Sequence, residues 1–177
     1  MRVDVRHGLF CVLAFVLAML FVSCSNQQVE APESLPEYHY VQGKTAALRN
    51  GRAIPPPNVP PQVKRAIYAA NSIVGKPYRM GGGHKRHYDS SYDCSGTVSF
   101  VLREAGLMTS IRHSKLFLNY GSRGPGKWIS IYAKNGHVFM VICGVRFDTS
   151  GRGRKGPAWR TEPRNTKNFV VRHPTML

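Results

Sequence analysis

The sequence predicts an α+β domain, and two observations carry that reading. Two helical periodicities come first along the chain, and a group of strand-like runs separated by turn signals follows from Lys127. Helices collected ahead of strands, rather than alternating with them, favour segregated layers with an antiparallel sheet.

The first helix is read over 61–75. Val63, Ala66, Ile67, Ala70, Ile73 and Val74 recur at i, i+3, i+4, i+7, which places them on one face. Pro61 opens the segment, Gly75 closes it and Pro77 prevents continuation. The second helix is read from Cys94 to Gly106, with Val98, Val101, Leu102 and Ala105 on its inward face. Cys94 precedes Val98 by four residues, so it sits at the N-terminal end of that face. Asp89, Ser90, Ser91 and Asp93 are available as caps. The sequence between the helices, "YRMGGGHKRHYDSSYD", is read as a glycine-rich loop. "KWISIYA", "HVFMVICG", "VRFDTS" and "NFVVRH" are rich in β-branched and aromatic residues and read as strands, with turns at Asn135-Gly136 and Gly144. Residues 151–167, "GRGRKGPAWRTEPRNTK", read as a basic loop in which Trp159 is free to pack on a ligand.

The chain has 177 residues, enough for one domain with a real core. Lys and Arg outnumber Asp and Glu by 25 to 9, a formal charge of +16. Such a balance suits an anionic partner: nucleic acid, membrane surface or an anionic envelope polymer. No zinc-finger spacing, RNP-like aromatic pattern or long basic helix is present, so no nucleic-acid partner is expected.

The N-terminus indicates export. "MRVDVRHG" is followed by an unbroken apolar run over 9–22, the length of a signal-peptide core and short for a membrane span. Phe21-Val22-Ser23-Cys24 is similar to a bacterial lipobox, with Phe in place of the usual Leu; the alternatives are an uncleaved anchor or a plain signal peptide with a chance cysteine. The organisation is therefore read as a signal peptide over 1–23, a lipid-bearing Cys24 with a Pro-rich tether over 24–60, and a domain over 61–177. In the tether, "TAALRN" admits a turn of helix and "PPP" an extended stretch. The expected location is the cell envelope, lipid-anchored, with Ser25 favouring the periplasmic face of an outer membrane. Nothing in the pattern sets an oligomeric state.

With Cys11 in the apolar run and Cys24 carrying lipid, Cys94 and Cys143 remain. They are either a disulfide of an oxidising compartment or one functional and one core thiol. A helix N-terminus stabilises a thiolate through its unpaired N–H groups and dipole, and a histidine distant in sequence can serve as its base. His137 is the candidate, because it follows an Asn-Gly turn and heads an apolar strand. Asp148 on the next strand is the candidate to orient its ring. The alternative is a core or surface histidine and a hairpin-end carboxylate. His84 and His87 read as solvated loop residues, His39 and His113 lack context, and His173 ends the last strand.

"GKPYRMGGG…YDCSGTVSFVLREAGL…NGHVFMVICGVRFDTS" resembles the NlpC family of bacterial cell-wall cysteine peptidases, over about residues 61–150. The resemblance implies a papain-like fold and hydrolysis of peptidoglycan stem peptides, commonly at the D-glutamyl–diaminopimelate bond. It implies Cys94 as nucleophile, His137 as base, Asp148 as orienting residue and Tyr78 as an oxyanion donor. It further implies that Asp93 and Ser95 contact the peptide's amino end, with no metal and no cofactor. The chain departs from the family in its long loop from Tyr78 to Cys94, in lacking "PGDL" before the histidine strand, in Asp rather than His as third residue, and in "IRHSKLFLNYG" after the nucleophile helix. A papain-fold amidase or acyltransferase, and a non-catalytic cationic envelope-binding lipoprotein, remain as alternative functions.

Overall fold

The computed structural model describes residues 32–86, 88–153 and 155–177. The apolar run over 9–22, Cys11, Cys24, His87 and Arg154 lie outside the described residues. Helix α1 spans Pro61–Ile73 and α2 spans Cys94–Glu104, as the periodicities require. Two-residue strand β1 (Ser34–Leu35) and the hairpin β2 (Ala47–Arg49) and β3 (Arg52–Ile54) precede them. A 3₁₀ helix (Ser114–Asn119) and β4 (Ser122–Arg123) follow. The strand-rich half contains β5 (Ile129–Lys134), β6 (His137–Ile142), β7 (Val145–Asp148), β8 (Ala158–Arg160), β9 (Arg164–Asn165) and β10 (Val170–His173).

The main sheet has the order β4-β10-β5-β6-β7-β8, and its neighbours pair antiparallel. Each strand presents alternate residues to opposite faces. Val138, Met140 and Ile142 of β6 and Phe147 of β7 are fully buried in the core with Val63, Ile67, Val98, Val101 and Leu102 of the two helices. His137, Phe139, Val141, Arg146 and Asp148 belong to the other face. The sheet thus carries an apolar layer against the helices and a charged cluster behind it. This is the α+β architecture the sequence predicts.

Three expectations are corrected. Residues 32–60, read as a tether, lie against the domain as a strap. Leu35 pairs with Arg164 across β1 and β9, the Tyr38 amide donates to the Thr161 carbonyl at 2.9 Å, and Ala46, Ala53 and Val59 enter the core. Strands this short leave no periodicity to read, and "TAALRN" forms a strand and turn instead of a helical turn. The basic loop over 151–167 contains β8, where Trp159 packs on Phe147 with ring centroids 4.8 Å apart. Its indole N–H donates to Asn71 Oδ1 of α1 at 2.8 Å, so Trp159 is a core residue and does not face a ligand. Cys143 sits in the two-residue turn between β6 and β7, at a positive φ of 46°, rather than in a strand.

A cavity of about 170 Å³ lies between the strap and the sheet, lined by Leu35, Tyr38, Val141, Arg146, Arg160 and Glu162 among others. Neither Cys94 nor His137 borders it. Among the described residues no helix is long and apolar enough to cross a membrane, and no group of three or more His, Cys, Asp or Glu is placed to hold a metal ion.

Candidate active site

Cys94 is the first residue of α2. Asp93 caps the helix in an extended conformation, accepting from the Gly96 amide at 2.7 Å, a cap worth about 1 kcal/mol. That bond satisfies one of the orphan N–H groups of the first turn. The glycine loop packs directly on the same turn. A Cβ on Gly96 would collide with the carbonyl oxygen of Gly82, and one on Gly83 would strike the Tyr92 ring. The glycines of "GGG" and "DCSG" are therefore two halves of one backbone contact. Gly96→Ala is expected to lower stability by about 1–3 kcal/mol through overpacking, measured as a shift in the chemical denaturation midpoint. An unchanged midpoint would mean that the loop yields freely.

His137 begins β6, where the Asn135-Gly136 turn, with Gly136 at φ 81°, brings the chain back towards α2. Its Nε2 lies 3.1 Å from Asp148 Oδ1 and 3.3 Å from Ser150 Oγ. The Cys94 sulfur acts on the same ring and favours its protonated form. Since Nε2 faces the carboxylate, Nδ1 is the nitrogen left for the sulfur. Burial favours the neutral ring, but the hydrogen bonds and charges of Asp148 and Cys94 outweigh it and push the pKa of His137 up to about 9. At neutral pH the site therefore holds an imidazolium between a carboxylate and the sulfur.

Asp148 is 1% exposed. Burial favours its neutral form, yet the His137 ring, the Ser150 amide and the Arg164 charge together hold its pKa below the ordinary carboxylate value. Arg146 Nη1 donates to its Oδ2 at 2.9 Å, Ser150 donates to its Oδ1 from N at 2.9 Å and from Oγ at 3.1 Å, and Arg164 Nη1 stands 3.6 Å away. Phe169 closes the far side of the ring edge-on, with centroids 6.2 Å apart. Arg164 lies over the Phe139 and Phe169 rings.

No family model matches the chain, and no curated protein matches it. Solved structures of similar shape do exist. One is that of Rv1477, a hypothetical invasion protein of Mycobacterium tuberculosis, at TM-score 0.45 and 23% identity over 75% of this chain and 71% of that one. Mutated forms of the Resuscitation Promoting Factor Interacting protein RipA align over the same shares, also at TM-score 0.45, with 23% and 22% identity. These are distant likenesses of shape, and the chemistry here rests on the geometry of the site itself.

The sequence-predicted Cys94, His137 and Asp148 thus come together. Tyr78 feels the same site: its pKa is raised by burial, then by the negative charges of Cys94 and Asp93, so its hydroxyl keeps its proton. It is held by its neighbours, since the Tyr92 amide donates to the Pro77 carbonyl and the Gly75 amide to that of Pro157, both at 3.1 Å. Asp93 and Ser95 flank the thiol. His84 is not the solvated loop residue that the sequence suggests: its Nε2 lies 3.1 Å from both Asp93 Oδ1 and Ser95 Oγ. His113 stacks on it at 4.8 Å. Arg146, Ser150, Arg164 and Phe169 also escaped the sequence reading. Strand alternation alone offered Arg146, two residues before Asp148 and so on the same face.

Cys94 and Cys143 are both free, so no disulfide joins them. Burial pushes the Cys143 thiol up to about 12, which leaves almost no thiolate near neutral pH. Mild alkylation of the folded protein followed by peptide mapping is expected to label Cys94 well ahead of Cys143. Equal labelling would contradict the assignment.

Proposed function

We propose that the chain is a cysteine peptidase that hydrolyses peptidoglycan stem peptides at the D-glutamyl–diaminopimelate bond. The observation that carries this reading is a thiol at a helix N-terminus that acts on an imidazole held through Nε2 by a buried carboxylate. That constellation is built for nucleophilic acyl transfer. The substrate class comes from the family resemblance of the sequence, with the export signal and the basic charge in support.

In the first half-reaction the Cys94 thiolate attacks the scissile carbonyl carbon. A C–S bond forms, and the carbonyl π electrons move onto oxygen. The Tyr78 hydroxyl and the Cys94 backbone N–H are the donors for that oxyanion. When the tetrahedral species collapses, the C–N bond breaks and His137 gives its proton to the departing amine. Water then attacks the thioester, with the now neutral His137 taking its proton. Collapse releases the carboxylic acid and restores the thiolate–imidazolium pair. Asp148 stays ionised throughout and fixes the ring's orientation.

Incubating the protein with a synthetic L-Ala-D-Glu-diaminopimelate peptide tests the bond. Mass spectrometry is expected to find fragments ending in D-glutamate and beginning with diaminopimelate. Cleavage at another amide, or transfer of the acyl group to an added amine instead of water, would favour the amidase or acyltransferase chemistry.

Attachment to the envelope through lipid on Cys24 belongs to the same proposal. Metabolic labelling with a fatty-acid analogue is expected to mark the wild type and not Cys24→Ala. Equal labelling of the two would remove the anchor from the reading.

A further inference from the structure

Asp93 is fully occupied by the protein itself. Its Oδ1 accepts from the Gly96 amide at 2.7 Å, Ser95 Oγ at 3.0 Å and His84 Nε2 at 3.1 Å, and its Oδ2 accepts from the Gly81 amide at 2.9 Å. An ionised carboxylate offers about four acceptor sites, and Asp93 is only 5% exposed. The carboxylate in front of Nε2 fixes the hydrogen of His84 on that nitrogen. Ser95 gives its single hydroxyl proton to Asp93, so its Oγ can only accept from His84, at 3.1 Å. His84 therefore stands where a cationic donor from a ligand would have to stand. Stacking on His113, with an interplanar angle of 14°, holds it there.

Two further carboxylates of this region also have donors within the protein. Asp148 serves His137 and Arg146. Asp89 accepts from the amides of Gly83 at 3.0 Å and Ser90 at 2.7 Å. The loop that delivers His84 instead exposes Arg79, Lys85 and Arg86. An ammonium brought to the Asp93–Ser95 pair would lose water and find the carboxylate already taken by four donors of the protein, under a loop that carries cations.

We infer that His84 is a specificity-determining residue. By filling the Asp93–Ser95 pair it makes the subsite beside Cys94 accept peptides whose amino group is acylated, as in a stem peptide still joined to its glycan, and reject the same peptide with a free ammonium. This rests on the peptidase reading and deepens it, since that reading alone leaves either amino end open.

The test uses one stem peptide in two forms, free amino and N-acetyl, with the full chain. Wild type is expected to favour the N-acetyl form in kcat/KM by at least about 10-fold, because an unpaired charge works against the wrong ligand. Calorimetric binding to Cys94→Ala protein is expected to show the same preference without turnover. His84→Ala releases Asp93 and Ser95, so the ratio should move towards the free-amine peptide, chiefly through a lower KM for it. His84→Gln, whose amide can still donate to Asp93, should keep the wild-type ratio.

A wild type that takes the free-amine peptide as well as the acetylated one overturns the assignment. So does an unmoved ratio in His84→Ala protein that melts normally, or a failure of both peptides to bind. If the Cys94→Ala protein prefers the N-acetyl form in binding but wild type cuts neither, the hydrolase reading falls and the specificity assignment stands.

Discussion

Cys94→Ala and His137→Ala are each expected to lower kcat on a stem peptide by about 10⁴-fold or more, and the double variant by little beyond either single one. Nucleophile and base act as a unit, so removing one member removes most of what both supply. What remains comes from substrate binding and from the donors proposed for the oxyanion, which neither change touches. The measurement is initial rate against peptide concentration, with folding checked by thermal melting. The Cys94 side chain is small and lies at a helix end, so its loss should cost little stability. A Cys94→Ala protein with a tenth of wild-type activity would remove the thiol from the chemistry.

Arg146→Met is expected to cost about 3–5 kcal/mol of stability, the usual consequence of leaving a buried charge without its partner. Arg146 is 4% exposed. Beyond its bond to Asp148, its Nη2 donates to the Glu162 carbonyl and pairs with the Glu162 carboxylate, each at 3.1 Å. Its loss takes the 2.9 Å donor from Oδ2 of Asp148, 1% exposed, and the charged partner from Glu162. Urea denaturation gives the cost directly. A loss under about 1 kcal/mol would place the pair among those that contribute little.

Asp148→Asn reports on the same network through activity. It should retain measurable turnover where Cys94→Ala and His137→Ala retain almost none, because the nucleophile survives and only the support of the ring is weakened. A fully active, normally folded Asp148→Ala protein would remove that role from Asp148.

The pH dependence of stability follows from the raised pKa of His137. Its folded value of about 9 stands above the unfolded value of about 6.5, so the folded state binds the proton more tightly. The contribution is complete below about pH 6.5 and is lost as pH rises through about 9. Asp148 acts in the opposite sense, because its depressed folded value supplies stability above the ordinary carboxylate range that is lost on acidification. Denaturation midpoints in wild type should fall between pH 6.5 and 9 and should fall less in His137→Ala. A flat wild-type profile in that window would contradict the charged assignment of the ring.

The elements with long periods were legible in the sequence. Six residues at helical spacing define α1, and Asn135-Gly136 and Gly144 mark both turns of the β5–β6–β7 meander, though Cys143 was read into the strand. Cys94 and His137 were legible because a thiol at a helix start and an imidazole heading an apolar strand each break the local pattern. The strap was not, because β1 has two residues and β2 and β3 three each, too short to show alternation. Trp159 misled because its neighbours in sequence are basic while its partners, Phe147 and Asn71, are distant along the chain. The contact of His84 with Asp93 and Ser95 depends on the path of a glycine loop, which propensity does not fix. Arg164 and Phe169 reach the site only because the chain after β8 folds back over the outer face of the sheet.

The most direct measurement is mass spectrometry of purified peptidoglycan after incubation with the full chain and, in parallel, with Cys94→Ala. New peptide ends are expected with wild type and none with the variant, since every bond-breaking step passes through the Cys94 sulfur. Identical products from the two proteins, or peptidoglycan left intact by wild type, would contradict the assignment of this site as a peptidoglycan peptidase.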